Sequence, residues 1–247
     1  MVVVLACVAA FVAGFVDAVA GGGGLVQLPA LFVLFPDVPV PDLLGTNKVS
    51  SIAGTGAALA RYAGSVRIDA ARVAPAAAAA FVGSYLGARL ATVLPSEWMR
   101  PLAVVLLVAV AVYTFAKRDL GAAGGAPPRG ALVGVAIGAG CGLYDGFFGP
   151  GTGSFLLFAF VALLGMDFLA ASAGAKVVNV ATNLAAILAF ASAGHVRWEL
   201  ALPMAACNVA GARIGAHLAI TRGAGFVRGV FLVVVSALLA RLTWDLL

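Results

Sequence analysis

The sequence is poor in charge. Asp, Glu, Lys and Arg together make up 10% of its 247 residues, against about 25% in an ordinary soluble domain. So few ionisable side chains could not coat a water-soluble domain of this length, which excludes that class. Histidine is scarce as well, and the three cysteines, Cys7, Cys141 and Cys207, all lie inside apolar stretches. There is no CxxC pair and no Cys/His cluster, so neither a metal centre nor a disulfide framework has its ligands, and small buried thiols are the expectation. No GxxxxGK[ST] run is present, so energy for any work would come from gradients or from a partner rather than from bound ATP. No nucleophile–base pair suggests an enzyme, and no cofactor is expected. The apolar start, Met1-Val2-Val3-Val4-Leu5, lacks the basic lead-in of a signal peptide, and residues 1–16 read as a retained membrane segment.

What is abundant is apolar: 63% of the residues are hydrophobic, and the mean hydropathy is +1.11. That surplus has to face lipid, and at roughly 20 residues per crossing the chain has room for about eight to ten segments. The net charge of +5 sits at segment ends, where it serves topology and lipid headgroups; nucleic acid is not an expected partner. Trp98, Trp198 and Trp244 also fall at expected segment ends, where indoles favour the interface. The fold class is therefore an all-α polytopic membrane protein.

The chain repeats itself. Asp17 in GFVDAVAGGGG corresponds to Asp145 in GLYDGFFGPGTG, 128 positions later. Lys48 and Lys176, Gly83 and Gly211, Gly87 and Gly215, and Arg100 and Arg228 share that offset. AGSVR at 63–67 matches AGHVR at 193–197 after a two-residue slip. The Gly/Pro-rich polar stretch 118–129 divides a first repeat, 1–117, from a second, 130–247. Each half has an apolar piece, a glycine cluster, a short second apolar piece, and three longer segments (about 43–63, 72–94 and 98–116, then 170–193, 199–220 and 226–246).

Gly21–Gly24 and Gly149-Pro150-Gly151-Thr152-Gly153 cannot hold a regular helix against lipid. Each glycine costs about 1 kcal/mol relative to alanine, and Pro150 also removes an amide donor. Unwound backbone at membrane depth survives only inside protein or beside a wet cavity, so the two clusters are expected to meet in the interior. If each broken piece is a hairpin, each half crosses the membrane an odd number of times and the halves are inverted. If it is one interrupted crossing, the halves are parallel. The shortness of the pieces and the turns that follow them favour inverted repeats, each a glycine-broken hairpin plus three transmembrane helices. Gly83/Gly87 and Gly211/Gly215 have the small-xxx-small spacing of close helix packing.

Lys48 and Lys176 each open a long apolar segment, with Ser51 and Thr55, or Asn179 and Asn183, three and seven residues on and on the same face. A lysine at a segment end can also snorkel. A cationic head among neutral donors suits a small oxyanion, and the helix N-termini after the glycine clusters favour negative charge. The expected binding set is Lys48, Lys176, Asn47, Ser51, Asn179, Asn183, Gln27, Gly22, Gly23, Gly24, Gly151, Thr152 and Gly153. Asp17 and Asp145 precede the clusters, and intramembrane carboxylates call for a reason. They could pair with lysines, cap helix ends, or couple proton movement to substrate.

DGFFGPGTGSF at 145–155, followed some twenty residues on by Lys176, resembles the second half of the TauE/SafE family, and GGGGLVQLP at 21–29 resembles the start of its first half. The resemblance implies a bacterial inner-membrane permease with two repeats, moving small anions such as sulfite, sulfoacetate or other sulfonates. It leaves direction, substrate and oligomeric state open. Half one departs from half two in carrying Ala18-Val19-Ala20 where Gly146-Phe147-Phe148 stand, so the half-sites need not be equivalent. An inside-negative potential of 100 mV favours outward movement of one negative charge by roughly 2.3 kcal/mol, which fits an exporter. An anion channel and a non-transporting membrane scaffold are the alternatives.

Overall fold

The computed structural model describes residues 1–95, 97–99, 101–103, 105, 106, 109 and 131–245, with side chains described as far as Arg222. The linker at 118–129, most of the segment at 98–116 and the side chain of Trp244 lie outside the described residues.

All regular structure among the described residues is helical. The apolar helix α1 (Val2–Ala20) stops at Gly21, whose φ of +77° turns the chain and whose amide bonds back to the Asp17 carbonyl; glycine reaches that conformation without strain. The short α2 (Gly24–Leu34) follows. Helix α3 (Val40–Ala63) starts behind Pro39, with Asp42 in its first turn and Arg61 in its last, matching the helix dipole. Asp69 caps α4 (Ala70–Val93). In the second part of the chain, α5 (Ala131–Phe147) leads through the second cluster into α6 (Thr152–Leu164), and Asp167 caps α7 (Phe168–Ser192) by accepting from the amides of Leu169 and Ala170. The last element, α8 (Trp198–Asp245), is one continuous helix, where the sequence predicts two segments parting near 221–225. The stretch reads Thr221-Arg222-Gly223-Ala224-Gly225, with no proline to end the helix.

Among the described residues, α1, α4 and α7 are long and apolar enough to cross a bilayer. Helix α3 is as long as α4 but carries Asp42, Lys48 and Arg61. Large apolar side chains project outward from α1 (Val4, Val8, Phe11), α4 (Val82, Leu86, Leu90) and α7 (Leu184, Leu188). This is the surface that an integral membrane protein turns to lipid.

Small residues set the packing. Gly138, Gly142 and Gly146 of α5 lie directly on the backbone of Ala76, Ala80 and Ser84 of α4, and a methyl group on Gly83 would sit 2.7 Å from the Ala139 carbonyl oxygen. The two helices run parallel. Gly211 and Gly215 of α8 meet the backbone of Phe11 and Phe15 of α1 in the same parallel sense. These are the close helix approaches that the small-xxx-small spacing predicts. The first helix of each set of four thus packs on the last helix of the other set, α1 on α8 and α5 on α4.

Two junctions fix the helix ends. His195 Nδ1 and Asp42 Oδ1 are 2.7 Å apart, and the Arg197 amide donates to Thr46 Oγ1 (3.1 Å), joining the turn before α8 to the start of α3. On the other face the Arg72 guanidinium donates to the Leu164 carbonyl, joining the start of α4 to the end of α6. Trp198, half exposed, opens α8. His217 lies against the Arg61 guanidinium (2.6 Å), so neither histidine stands near the glycine breaks.

Candidate functional site

The two glycine breaks meet at the centre of the helix bundle. A methyl on Gly153 would lie 2.6 Å from the Gly21 carbonyl oxygen, and one on Gly24 would lie 3.1 Å from Pro150 Cα. A hydrogen bond ties the breaks together, Ser154 Oγ donating to the Ala20 carbonyl (2.8 Å), while Tyr144 braces the second break by donating to the Pro150 carbonyl (2.7 Å). Gly21, Gly149 and Gly151 all have positive φ (+77°, +101° and +83°), which explains why glycine occupies each of them. Neither α2 nor α6 has a side-chain cap at its N-terminus. Both therefore bring uncompensated positive dipole ends to the middle of the molecule.

The lysines are held by the carboxylates, and the partners are crossed. Lys48 Nζ of α3 lies 2.8 Å from Asp145 Oδ2 of α5, and Lys176 Nζ of α7 lies 2.9 Å from Asp17 Oδ2 of α1. Lys48, Lys176 and Asp145 are buried, while Asp17 is half-buried. The surroundings of the two pairs differ. Lys176 also donates to the Asp17 backbone carbonyl, and Thr55 Oγ1 donates to Asp17 Oδ2 (3.1 Å). Lys48 meets Asp145 as an ion pair without hydrogen-bond geometry, so Asp145 Oδ2 is left with no donor. A methyl on Gly149 would come within 2.8 Å of Lys48 Nζ, so this lysine rests against the second break.

A cavity of about 30 Å³ lies between these groups, lined by Asp17, Asn47, Lys48, Ser51, Thr55, Asp145, Asn179, Asn183 and the glycine breaks. Of the residues expected from sequence, Lys48, Asn47, Ser51, Asn179, Asn183, Gly24, Gly151, Thr152 and Gly153 share this lining with both carboxylates. Lys176, Gln27, Gly22 and Gly23 do not. Lys176 is turned into its own ion pair. Gln27 is fully buried and accepts from Asn208 Nδ2 of α8 (3.0 Å), a residue that also lies against Gly14 of α1 and Gly54 of α3. Gly22 faces the side chains of Val16 and Leu25, and Gly23 lies on the Ala13 carbonyl and Asp17 Cβ of α1. Gly21, Gly149 and Thr55 line the cavity in addition. For Thr55 the signal was available, seven residues past Lys48 on the lysine's face. Asn47 Oδ1 and Asn179 Oδ1 are buried polar atoms without a hydrogen-bond partner, and Asp145 Oδ2 has only its ion pair with Lys48; such atoms in a polar hollow accommodate water or a polar ligand.

Apolar helices around a central polar site built from broken elements are the arrangement found in polytopic membrane transporters. A family model described as sulfite exporter TauE/SafE matches residues 6–242, and the chain belongs to that family. A "Probable membrane transporter protein ORF9" from Sinorhizobium sp is 36% identical over 242 residues, covering 96% of this chain and 91% of that protein. A "Probable membrane transporter protein" from Haemophilus influenzae is 32% identical over 246 residues, covering 99% and 95%. The "Probable membrane transporter protein YfcA" of Escherichia coli K12 is 32% identical over 237 residues, covering 96% and 87%. No solved structure matches the chain. The protein is thus an integral protein of a bacterial membrane, from a family of transporters.

Proposed function

We propose that the protein is a secondary transporter that exports small organosulfur oxyanions, sulfite or sulfonates, from a site between two inverted repeats, 1–117 and 130–247, joined by the linker 118–129. The observation that carries this reading is the central cavity: Lys48, paired with Asp145 and facing Asp17, the neutral side chains of Asn47, Ser51, Asn179 and Asn183, and two uncapped helix N-termini converge on it. Positive charge, neutral donors and helix dipoles are what a tetrahedral or pyramidal oxyanion needs in place of water. The name of the family points to the same chemistry.

Contacts at the helix ends support the inverted arrangement. Helix α1 runs parallel to α8, so it starts on the face where α8 starts. Helix α2 returns to that face, because α3 begins beside His195. Helix α5 runs parallel to α4 and starts on the opposite face, to which α6 returns beside Arg72. The broken hairpins therefore enter from opposite sides. The face of Arg61, Arg67 and Arg72 also carries Asp69 and Asp167, whereas the other carries Arg89 and Arg197 with Asp37, Asp42 and Glu199. By the positive-inside rule the arginine-rich face is cytoplasmic.

At about 30 Å³ the cavity admits a few waters and no more. An organosulfur anion enters only when the two sets of helices part, which is the behaviour of an alternating-access carrier rather than an open pore. The test is uptake of labelled sulfite or a sulfonate by proteoliposomes. Saturable flux that is lost in Lys48→Gln is the expected result. Flux that rises without limit would make the protein a channel. No flux, together with no ligand-induced rise in melting temperature, would make it a scaffold.

A further inference from the structure

We infer that the two ion pairs divide the labour: Asp145 is a resident counter-anion that the transported anion displaces from Lys48, and Asp17–Lys176 is a fixed brace that stays closed. The inference rests on the anion-transport reading above and assigns roles within that site.

The asymmetry is in the contacts. Lys176 is held by two bonds to the same aspartate, one to its carboxylate and one to its backbone carbonyl, and Thr55 closes on the same carboxylate oxygen. It does not line the cavity. Lys48 does line the cavity, makes one ionic contact, and leaves Asp145 Oδ2 without a hydrogen-bond donor. An arriving sulfonate has three oxygens to offer Lys48 and the neighbouring amides, while Asp145 offers one oxygen in poor geometry. The brace could be opened only by breaking several bonds at once.

Displacement has a consequence for charge. The site holds two lysines and two aspartates, so it is neutral when both pairs are closed. An added monoanion leaves one surplus negative charge among largely buried groups, where an unpaired ion is costly. The displaced Asp145 carboxylate removes that surplus by taking a proton from the aqueous side through which the anion came. The charged and titratable groups facing Asp145 are Lys48 on α3, Tyr144 and Cys141 on its own helix, and Asp17 across the cavity, with Lys176 behind Asp17. Of these, Lys48 alone is a cation in contact with Asp145, and the anion claims it. One anion and one proton therefore enter and leave together. Because Gly149 rests against Lys48, release of Asp145 also frees the second break from α3.

The test is calorimetric titration of the purified protein with ethanesulfonate, which is fully ionised near neutral pH, in two buffers of different ionisation heat. Wild type should take up about one proton per anion bound. Asp145→Asn should bind the anion severalfold more tightly with no proton uptake, since the competitor is gone. Asp17→Asn alone leaves Lys176 unpaired and the site one charge more positive, so the brace is tested with the neutral pair. The neutral pairs guard against misfolding of single variants: Lys176→Gln with Asp17→Asn should still bind with proton uptake, and Lys48→Gln with Asp145→Asn should not bind. Uptake that persists in Asp145→Asn, or that is lost in Lys176→Gln with Asp17→Asn, overturns the assignment. So does anion binding by wild type without any uptake. A wild type that binds neither ethanesulfonate, sulfite nor sulfoacetate removes the transport reading itself.

Discussion

Lys48 reaches Asp145, and Lys176 reaches Asp17, so each lysine is neutralised by a carboxylate from the other set of four helices. Neither set is electrically complete alone. Breaking one side of such a buried pair costs about 3–5 kcal/mol, because the remaining charge has lost its partner. Lys176→Ala should therefore lower the melting temperature in detergent sharply. Adding Asp17→Asn to Lys176→Gln should restore most of it. A double variant no more stable than the single would show that the pair does not act as a unit.

Gly149 couples backbone and charge. Its φ of +101° is strained for any other residue, and a methyl there would press on Lys48 Nζ and Asp145. Gly149→Ala should abolish flux while leaving the protein folded enough to purify as wild type does. Normal flux in that variant would detach the second break from the lysine.

The helix interfaces offer a sharper contrast. A methyl on Gly87 would collide with the Leu143 carbonyl, whereas Gly56 has nothing within 4 Å. Gly87→Ala should cost about 1–3 kcal/mol by overpacking. Gly56→Ala should be neutral, or stabilising by up to about 1 kcal/mol through helix propensity. Thermal unfolding of the two variants side by side reads the difference directly.

Much of this arrangement is legible in the sequence, and for identifiable reasons. The glycine clusters and the Lys48–Lys176 correspondence survive as local patterns, since a broken helix and an intramembrane charge are costly wherever they fall. Residues one helical turn from a lysine, such as Ser51 and Asn179, follow from helix geometry alone. What does not follow is the partner in space. Nothing in the spacing distinguishes Asp145 from Asp17 as the mate of Lys48, because the choice is made by α1 packing on α8 and α5 on α4. Gln27 fails for the same reason: it sits just past a cluster, as expected of a lining residue, but Asn208 of α8 captures it. The continuity of α8 is a different miss, arising because glycine weakens a helix without ending it.

Orientation can be read with an impermeant thiol reagent on intact cells, in a background with Cys7, Cys141 and Cys207 replaced by alanine. Cysteines placed at Asp37 and Gly194 should label from outside, and those at Ser65 and Gly165 only after the membrane is opened. Labelling of Gly165 together with Asp37 from outside would exclude hairpins entering from opposite faces.

The crossed pairing also bears on how such a chain could have arisen. A half-length ancestor with one lysine and one aspartate would bury two unmatched charges as a monomer, yet two copies lying head to tail would neutralise both at a stroke. Fusion of the copies would keep that bond pattern and release each copy from identity. The corresponding positions 27 and 155 illustrate the result: glutamine bonded to Asn208 in one copy, phenylalanine packed on Tyr144 in the other. Co-expressing the two halves as separate polypeptides would then reconstitute an assembly that neither half forms by itself.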